Sequence, residues 1–194
     1  KNLKHNLKMV LDVSDSAGYL DNFFPDCIFF KNYTDFFKKI KIYNIHYIVL
    51  CLPNYLHFKY IKLSLEKNCN VICEKPTVIK YLDLIKIKKL EKKYKKKCYS
   101  IFQLRLDSEL IKLKEKIKKS SKYYKGNLTY ITSRGDWYSK SWKGNEKLSG
   151  GIIYNIGIHF FDLLSWFFGE AINGKIALKS KKTMSGFIEF KNAK

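Results

Sequence analysis

Short runs of apolar residues alternate, over the first hundred positions, with longer stretches in which apolar residues return every three or four places. Side chains repeat every two residues in a strand and every 3.6 in a helix, so the first kind reads as strand and the second as amphipathic helix. A strand therefore ends the segment from Lys8 to Val13, followed by a turn at Ser14-Asp15-Ser16, and a helix covers Tyr33 to Lys41. A buried strand follows at Tyr47 to Leu52, broken by Pro53-Asn54, then a helix from Tyr55 to Lys67. Asn70 to Cys73 is a strand, Ile79 to Lys96 a helix and Tyr99 to Gln103 another strand. Strands separated by helices need crossover connections, which predicts a parallel sheet.

Beyond residue 104 the pattern changes. A helix from Ser108 to Lys119 leads to a strand at Leu128 to Ser133, an irregular stretch rich in Trp and Gly, and a helix from Ile152 to Phe168. Lys175 to Ser180 and Ser185 to Phe190 read as antiparallel strands. The expected class is α/β, with a parallel-sheet domain over 1–103 and an α+β domain over 104–194. No internal repeat is visible.

Glycine placement qualifies this picture, since of ten glycines only Gly18 precedes Gly126. A phosphate-binding loop after a first strand needs two or three closely spaced glycines, for tight turning and close approach to a pyrophosphate. Either the first half binds no dinucleotide, or its first strand and loop lie before Lys1. The start inside what reads as a helix end, residues 1–7, favours the second. With a strand running out at Lys194, both domains are expected to be incomplete.

At 194 residues, 46% hydrophobic and 16% aromatic, the chain can bury a core, which argues against disorder. The net charge of +21 would suggest nucleic acid or an anionic membrane surface, but of 38 basic residues only Arg105 and Arg134 are arginine. Lysine in such excess, beside much Ile, Asn, Tyr and Phe, is what an AT-rich genome produces. Nucleic-acid surfaces draw instead on arginine for bidentate contacts. The lysine runs at 87–97 and 112–122 fit solvated helix faces. Cys27, Cys51, Cys69, Cys73 and Cys98 form no paired CxxC motif, and an odd count favours a reducing compartment. No apolar run reaches the 18 or so residues of a membrane span, and no signal peptide is visible. The expectation is a cytoplasmic protein without membrane or nucleic-acid partner.

Candidate chemistry gathers where strands end, because ligands of parallel α/β sheets bind at the carboxyl edge. Asp12 ends the first strand, where a carboxylate could accept from ribose hydroxyls, although Asp is commonplace in turns. Pro53 and Asn54 end the next, with His57 on the following helix. Capping that helix could be the whole role of Asn54. Cys73-Glu74-Lys75-Pro76 ends the third and sets a carboxylate and an ammonium at the ligand edge. On the later helix, offsets of four and three align Asn155, His159 and Asp162 on one face. A lone His on such a face is more often a core residue bonded to a carbonyl. A metal shared by His159 and Asp162 lacks a third strong ligand, so no metal is expected.

CEKP at 73–76, together with Gly150-Gly151, Gly157-x-His159 and Asp162, resembles the Gfo/Idh/MocA oxidoreductases, NAD(P)-dependent sugar dehydrogenases whose first domain is Rossmann-like. LDVSDSAGYLDNFFPD at 11–26, FQLR at 102–105, LTYITSRGDWY at 128–138, SWKGNEK at 141–147 and NIGIHFFD at 155–162 are similar to the UDP-N-acetyl-glucosaminuronate 3-dehydrogenases of bacterial surface-polysaccharide synthesis. The resemblance implies NAD as cofactor, a UDP-sugar as substrate and a homodimer or homotetramer. It implies Lys75 as catalytic lysine and His159 as general acid/base. Asp12, Pro53, Asn54, His57, Glu74, Lys75, Gln103 and Arg105 fall on the cofactor side, and Lys143, Asn155, His159 and Arg134 on the substrate side. As the bland alternative, Arg134 pairs with Asp136 in its own loop. The chain departs from the subgroup at Asp107-Ser108, where His-Pro is usual.

Overall fold

A computed structural model describes residues 6–14 and 18–194. The expected helix end at 1–7 and the turn at Ser14-Asp15-Ser16 therefore lie largely outside the described residues.

The first half alternates strand and helix as the pattern requires. β1 (Met9–Leu11), α1 (Gly18–Phe23), β2 (Ile28–Phe30), α2 (Tyr33–Lys39), β3 (Tyr47–Leu50), α3 (Asn54–Glu66), β4 (Asn70–Cys73), α4 (Tyr81–Tyr94) and β5 (Cys98–Ser100) follow in order. All strand pairings here are parallel, β1 with β2 and β3 with β4 with β5, in two separate hydrogen-bonded sheets. The brief strand β2 and helix α1 escape the periodicity argument, since three apolar residues are too few to show a period. Asn32 starts α2 by accepting from the Asp35 amide at 2.9 Å, a side-chain cap that supplies one orphan N–H.

One core serves both sheets. Phe36, Phe37 and Ile40 from α2 and its C-terminus, Ile61 and Leu65 from α3 and Ile87 from α4 close on Met9, Ile48, Leu50, Val71 and Cys73 from the strands. β3 is not covered on both faces, however. Ile48 and Leu50 are buried while Tyr47 and Val49 face outward, an alternation more usual in half-exposed sheets.

The second half is thinner. After a 3₁₀ turn at Gln103–Leu106, α5 (Ser108–Lys118) starts on Asp107, whose carboxylate accepts from the Glu109 and Leu110 amides at 2.9 and 3.0 Å. The residue that departs from the resembled subgroup is thus a helix cap. Residues 128–133 form no strand. Leu128, Tyr130 and Ile131 are exposed and the segment has no ladder partner among the described residues, so strand-like composition alone does not make one. Two short helices, α6 (Asp136–Lys140) and α7 (Glu146–Ser149), occupy the irregular Trp-rich stretch.

Gly150 and Gly151 then both adopt positive φ, 83° and 73°. A side chain at Gly150 would also meet the Tyr154 ring at 2.6 Å. This turn leads into the long helix, which opens as a π-turn at Ile153–Gly157 and continues as α8 (Ile158–Phe168). α8 packs on α5, burying Leu163 and Ile117. β6 (Ala171–Lys179) and β7 (Met184–Phe190) pair antiparallel, and every residue of β6 is exposed.

Taken across the Gly-Gly turn, the 23 residues Glu146–Phe168 are long and apolar enough, by length and composition only, to cross a membrane, the mean hydropathy of an 18-residue window reaching 1.3. This stretch carries Asn155, His159 and Asp162, which have protein partners or charged neighbours.

Candidate active site

The carboxyl ends of β3 and β4 meet the start of the long helix. Lys75 follows β4, and its ammonium donates to the main-chain carbonyl of Asn155 at 2.9 Å. That carbonyl lies in the π-turn, where one extra residue per turn disturbs the helical ladder, an irregularity often found at functional sites. The sequence pattern shows the helix but not this local change of pitch.

Asn155 is a hub. Its side-chain amide donates to the Tyr138 hydroxyl at 3.0 Å and to the Lys143 carbonyl at 3.2 Å, while its Oδ1 accepts from Asn54 at 3.3 Å. Both of its N–H groups are thereby spent on the protein, so Asn155 orders the site, and what it keeps for a ligand is the second lone pair of Oδ1. Asn54 is 5% exposed and donates as well to the Ser149 carbonyl at 2.7 Å. It does not cap α3, whose N-cap is Pro53 and which has no side-chain cap bond. Its amide ties the end of β3 to the Gly-Gly turn.

His159 lies one helical turn after Asn155 and half-buried. Burial lowers its pKa from the usual histidine value, and the Lys75 cation lowers it further, against weaker opposition from Glu74 and Asp162. The imidazole is held toward its neutral, proton-accepting form. Lys75 is shifted downward too, by burial first, with Glu74 opposing and Lys143 and Arg134 assisting. Lys75, His159, Lys143 and Arg134 therefore share one electrostatic environment.

Two expected site residues, Arg105 and His57, have protein partners of their own. Arg105 gives its Nε and Nη2 to the Asp162 carboxylate at 2.8 and 2.6 Å, and Phe102 and Trp166 flank the guanidinium. That bidentate pair fastens the segment after β5 to α8. It gives Asp162 a partner on the segment after β5 while leaving its charge near enough to act on His159. His57 is fully buried, its Nδ1 2.7 Å from the Pro76 carbonyl and its Nε2 2.8 Å from the Leu52 carbonyl. It braces the two strand ends from behind, with no ring nitrogen left for a cofactor. Arg134 makes no ion pair with Asp136 among the described residues and stacks on the Tyr138 ring at 4.5 Å.

Asp12 stands exposed after β1, one carboxylate oxygen accepting from the Ser14 amide at 2.9 Å. Glu74 sits beside Lys75, accepting from its amide at 3.3 Å. Gln103 is exposed at the start of the 3₁₀ turn. Lys143 rests its ammonium over Trp137 and Trp142, 5.4 and 5.8 Å from the ring centroids. Among the described residues no three His, Cys, Asp or Glu side chains gather as a metal-ligating group. Sequence reasoning missed Tyr138 and Ser149, because a Tyr among many aromatics and a Ser before glycines carry no periodic signal. Ser149 is fully buried and its hydroxyl accepts from the Gly151 amide at 3.0 Å.

Two family models cover most of the chain. One, described as an oxidoreductase family, NAD-binding Rossmann fold, matches residues 13–102, and its companion, a C-terminal alpha/beta domain, matches 114–189. The structure is similar to the WlbA (WbpB) dehydrogenase of Thermus thermophilus, solved with NAD and UDP-GlcNAcA. That likeness has a TM-score of 0.91 and 35% identity and covers 97% of this chain and 63% of that one. The fold is also that of the WlbA dehydrogenase of Chromobacterium violaceum, at TM-score 0.83 and 20% identity over 96% and 56% of the two chains. A myo-inositol 2-dehydrogenase of Thermotoga maritima is 26% identical over 142 residues, 73% of this chain and 42% of that protein. The chain spans 28% to 43% of the length of the curated relatives it matches.

Proposed function

The chain belongs to the Gfo/Idh/MocA oxidoreductase family, and from that premise we propose that it serves NAD-dependent oxidation of the 3-hydroxyl of a UDP-N-acetyl-hexosaminuronate, in surface-polysaccharide sugar synthesis. The observation that carries this reading is the gathering of Lys75, His159, Lys143 and Arg134 at the carboxyl edge of the parallel sheet. Lys75 beside His159, with Lys143 and Arg134 near Lys75, suits an anionic sugar better than a neutral polyol such as myo-inositol. The WlbA likeness supports the same substrate class. Residues 1–103 would be the cofactor domain and 104–194 the substrate domain. The exposure of every residue of β6, Ile172, Ile176 and Leu178 among them, supports a homodimer or homotetramer.

The residues present fit part of a dinucleotide. Asp12 keeps one carboxylate oxygen for ribose hydroxyls, and Pro53, Glu74 and Lys75 stand at strand ends suited to its reactive end. A glycine cradle for the pyrophosphate is not among these residues, Gly18 being the only glycine before Gly126. When bound, NAD supplies the hydride acceptor.

The chain's own part is proton handling and charge stabilisation. Neutral His159 takes the proton of the sugar hydroxyl, and positioned acid/base catalysis of this kind contributes roughly 100 to 10,000-fold. The Lys75 ammonium, fixed by the Asn155 carbonyl, stabilises the developing alkoxide, electrostatic help that is commonly the largest catalytic term.

Turnover of UDP-GlcNAcA with NAD, measured for protein containing this chain, should fall by more than about 100-fold in His159→Ala and in Lys75→Ala. Wild-type rates in both would sink the proposal. Titration with UDP-GlcNAcA, read by Trp137 and Trp142 fluorescence, should resist competition by excess myo-inositol. Displacement would favour the polyol reading.

A further inference from the structure

Tyr138 holds an uncommitted proton beside cations that lack acidic partners. Its hydroxyl oxygen accepts from the Asn155 amide at 3.0 Å, and a phenol has a single hydrogen to give. Among the described residues no acceptor takes that hydrogen. Because Asn155 is itself fixed by Lys143 and Asn54, its donor occupies one side of the Tyr138 oxygen and leaves the O–H to point elsewhere. Arg134 lies 4.5 Å over the same ring.

The charge around this hydroxyl is unbalanced, as it is over much of a chain with net charge +21, but here part of it is taken out of water. Among the described residues none of Lys75, Lys143 and Arg134 has a carboxylate within ion-pair distance, whereas Arg105 and Lys179 do. On an open surface water would solvate such cations. Here Lys75 is half-buried, and Lys143 and Arg134 are near enough to disfavour its charge. An anion bound among them would relieve that repulsion. Its place is set by Lys75, which belongs to the reacting end of the site, so the fitting group is a carboxylate near the reacting carbon. A diphosphate would lie farther along the substrate.

The geometry points to Tyr138 as a specificity-determining residue. Its hydroxyl, oriented by Asn155, donates to a carboxylate oxygen of the sugar, and Arg134 and Lys143 balance the charge. This rests on the proposed uronate substrate. The competing role for Tyr138 is only to brace Asn155, which would affect acidic and neutral sugars alike.

Isothermal titration of the chain with UDP-GlcNAcA and with UDP-GlcNAc separates these roles, because the two ligands differ only in carrying a carboxylate or a hydroxymethyl group. Tyr138→Phe should weaken the uronate about tenfold and the neutral sugar less than about twofold, the scale of one hydrogen bond to a charged group. Arg134→Gln should narrow the same gap, and both variants should melt with the parent. Equal loss for both ligands in Tyr138→Phe, or no loss, overturns the assignment. An unsubstituted chain that binds both sugars equally overturns it alone, and one that binds neither removes the proposed function with it.

Discussion

The two halves of the chain use their apolar residues in opposite ways. Before β5, twelve residues close into one core, with Ile61, Leu65, Val71, Cys69 and Cys73 wholly shut off from solvent. After it, burial is scattered over Ile117, Leu163, Phe190 and Ala193, while Ile172, Ile176 and Leu178 of β6 stand in the open. The site lies on the seam. Lys75 rides on the dense half, and Asn155, His159, Tyr138 and Lys143 belong to the thin one. Stability and site geometry are therefore held by different residues, which makes them separable by substitution.

Truncation in the two halves should show the contrast most strongly. Leu65→Ala removes a fully buried side chain from a closed core and should cost about 2 to 5 kcal/mol. Leu178→Ala, on β6, should stay within about 0.5 kcal/mol. Urea denaturation followed by circular dichroism reads both, and similar losses would break the comparison.

The seam itself should come next. Arg105→Ala deprives the mostly buried Asp162 carboxylate of two short bonds and should cost roughly 2 kcal/mol, the range for hydrogen bonds to charged groups. Arg105→Lys should recover only part of this, because an ammonium cannot reproduce the guanidinium fork. If the alanine variant melts with the parent, the pair is a surface ornament and the halves are joined by other contacts.

Gly151→Ala should cost about 1 to 2 kcal/mol, chiefly through backbone strain, since φ at this position is 73° and the Glu146 side chain, 3.1 Å from a new Cβ, is flexible and need move only slightly. Gly150→Ala should cost more, because the Tyr154 ring would have to move as well. Thermal melts of the two variants rank them, and the reverse order would show that the ring yields easily.

How much of this could be read from the residues follows the same division. In the dense half, alternation of apolar runs fixes β3, α3, β4 and α4 to within a few residues, because burial imposes the period. The polar strand ends are also legible, since Pro53-Asn54 and Glu74-Lys75-Pro76 interrupt apolar runs. In the thin half, 128–133 has the composition of a strand and no partner, and composition does not report pairing. Within the site, the helical spacing of Asn155, His159 and Asp162 suggests one polar line. The π-turn changes the pitch at Asn155, and the reach of Arg105 gives Asp162 a partner that the spacing does not show. The supporting bonds of His57, Asn54 and Arg105, to Pro76, Ser149 and Asp162, join residues far apart in the chain, which local sequence does not encode.

The smallest expected effect tests whether the halves communicate through charge. His159 on the thin half is held below the usual histidine pKa of about 6.5 by burial and then by Lys75 on the dense half. Neutral imidazole is thus favoured in the folded chain. The unfolded chain takes up a proton first as pH falls, so the associated stability is complete above pH ~6.5 and is lost as pH drops through the folded value. Lys75→Met removes the cation but leaves the burial, so the His159 titration should move upward without reaching a solvent-exposed histidine's value. Nuclear magnetic resonance of the imidazole ring reads this directly, and the acid side of the stability profile should flatten in step. An unmoved His159 would mean that Lys75 and the imidazole do not sense each other, and the two halves would then meet without forming a shared site.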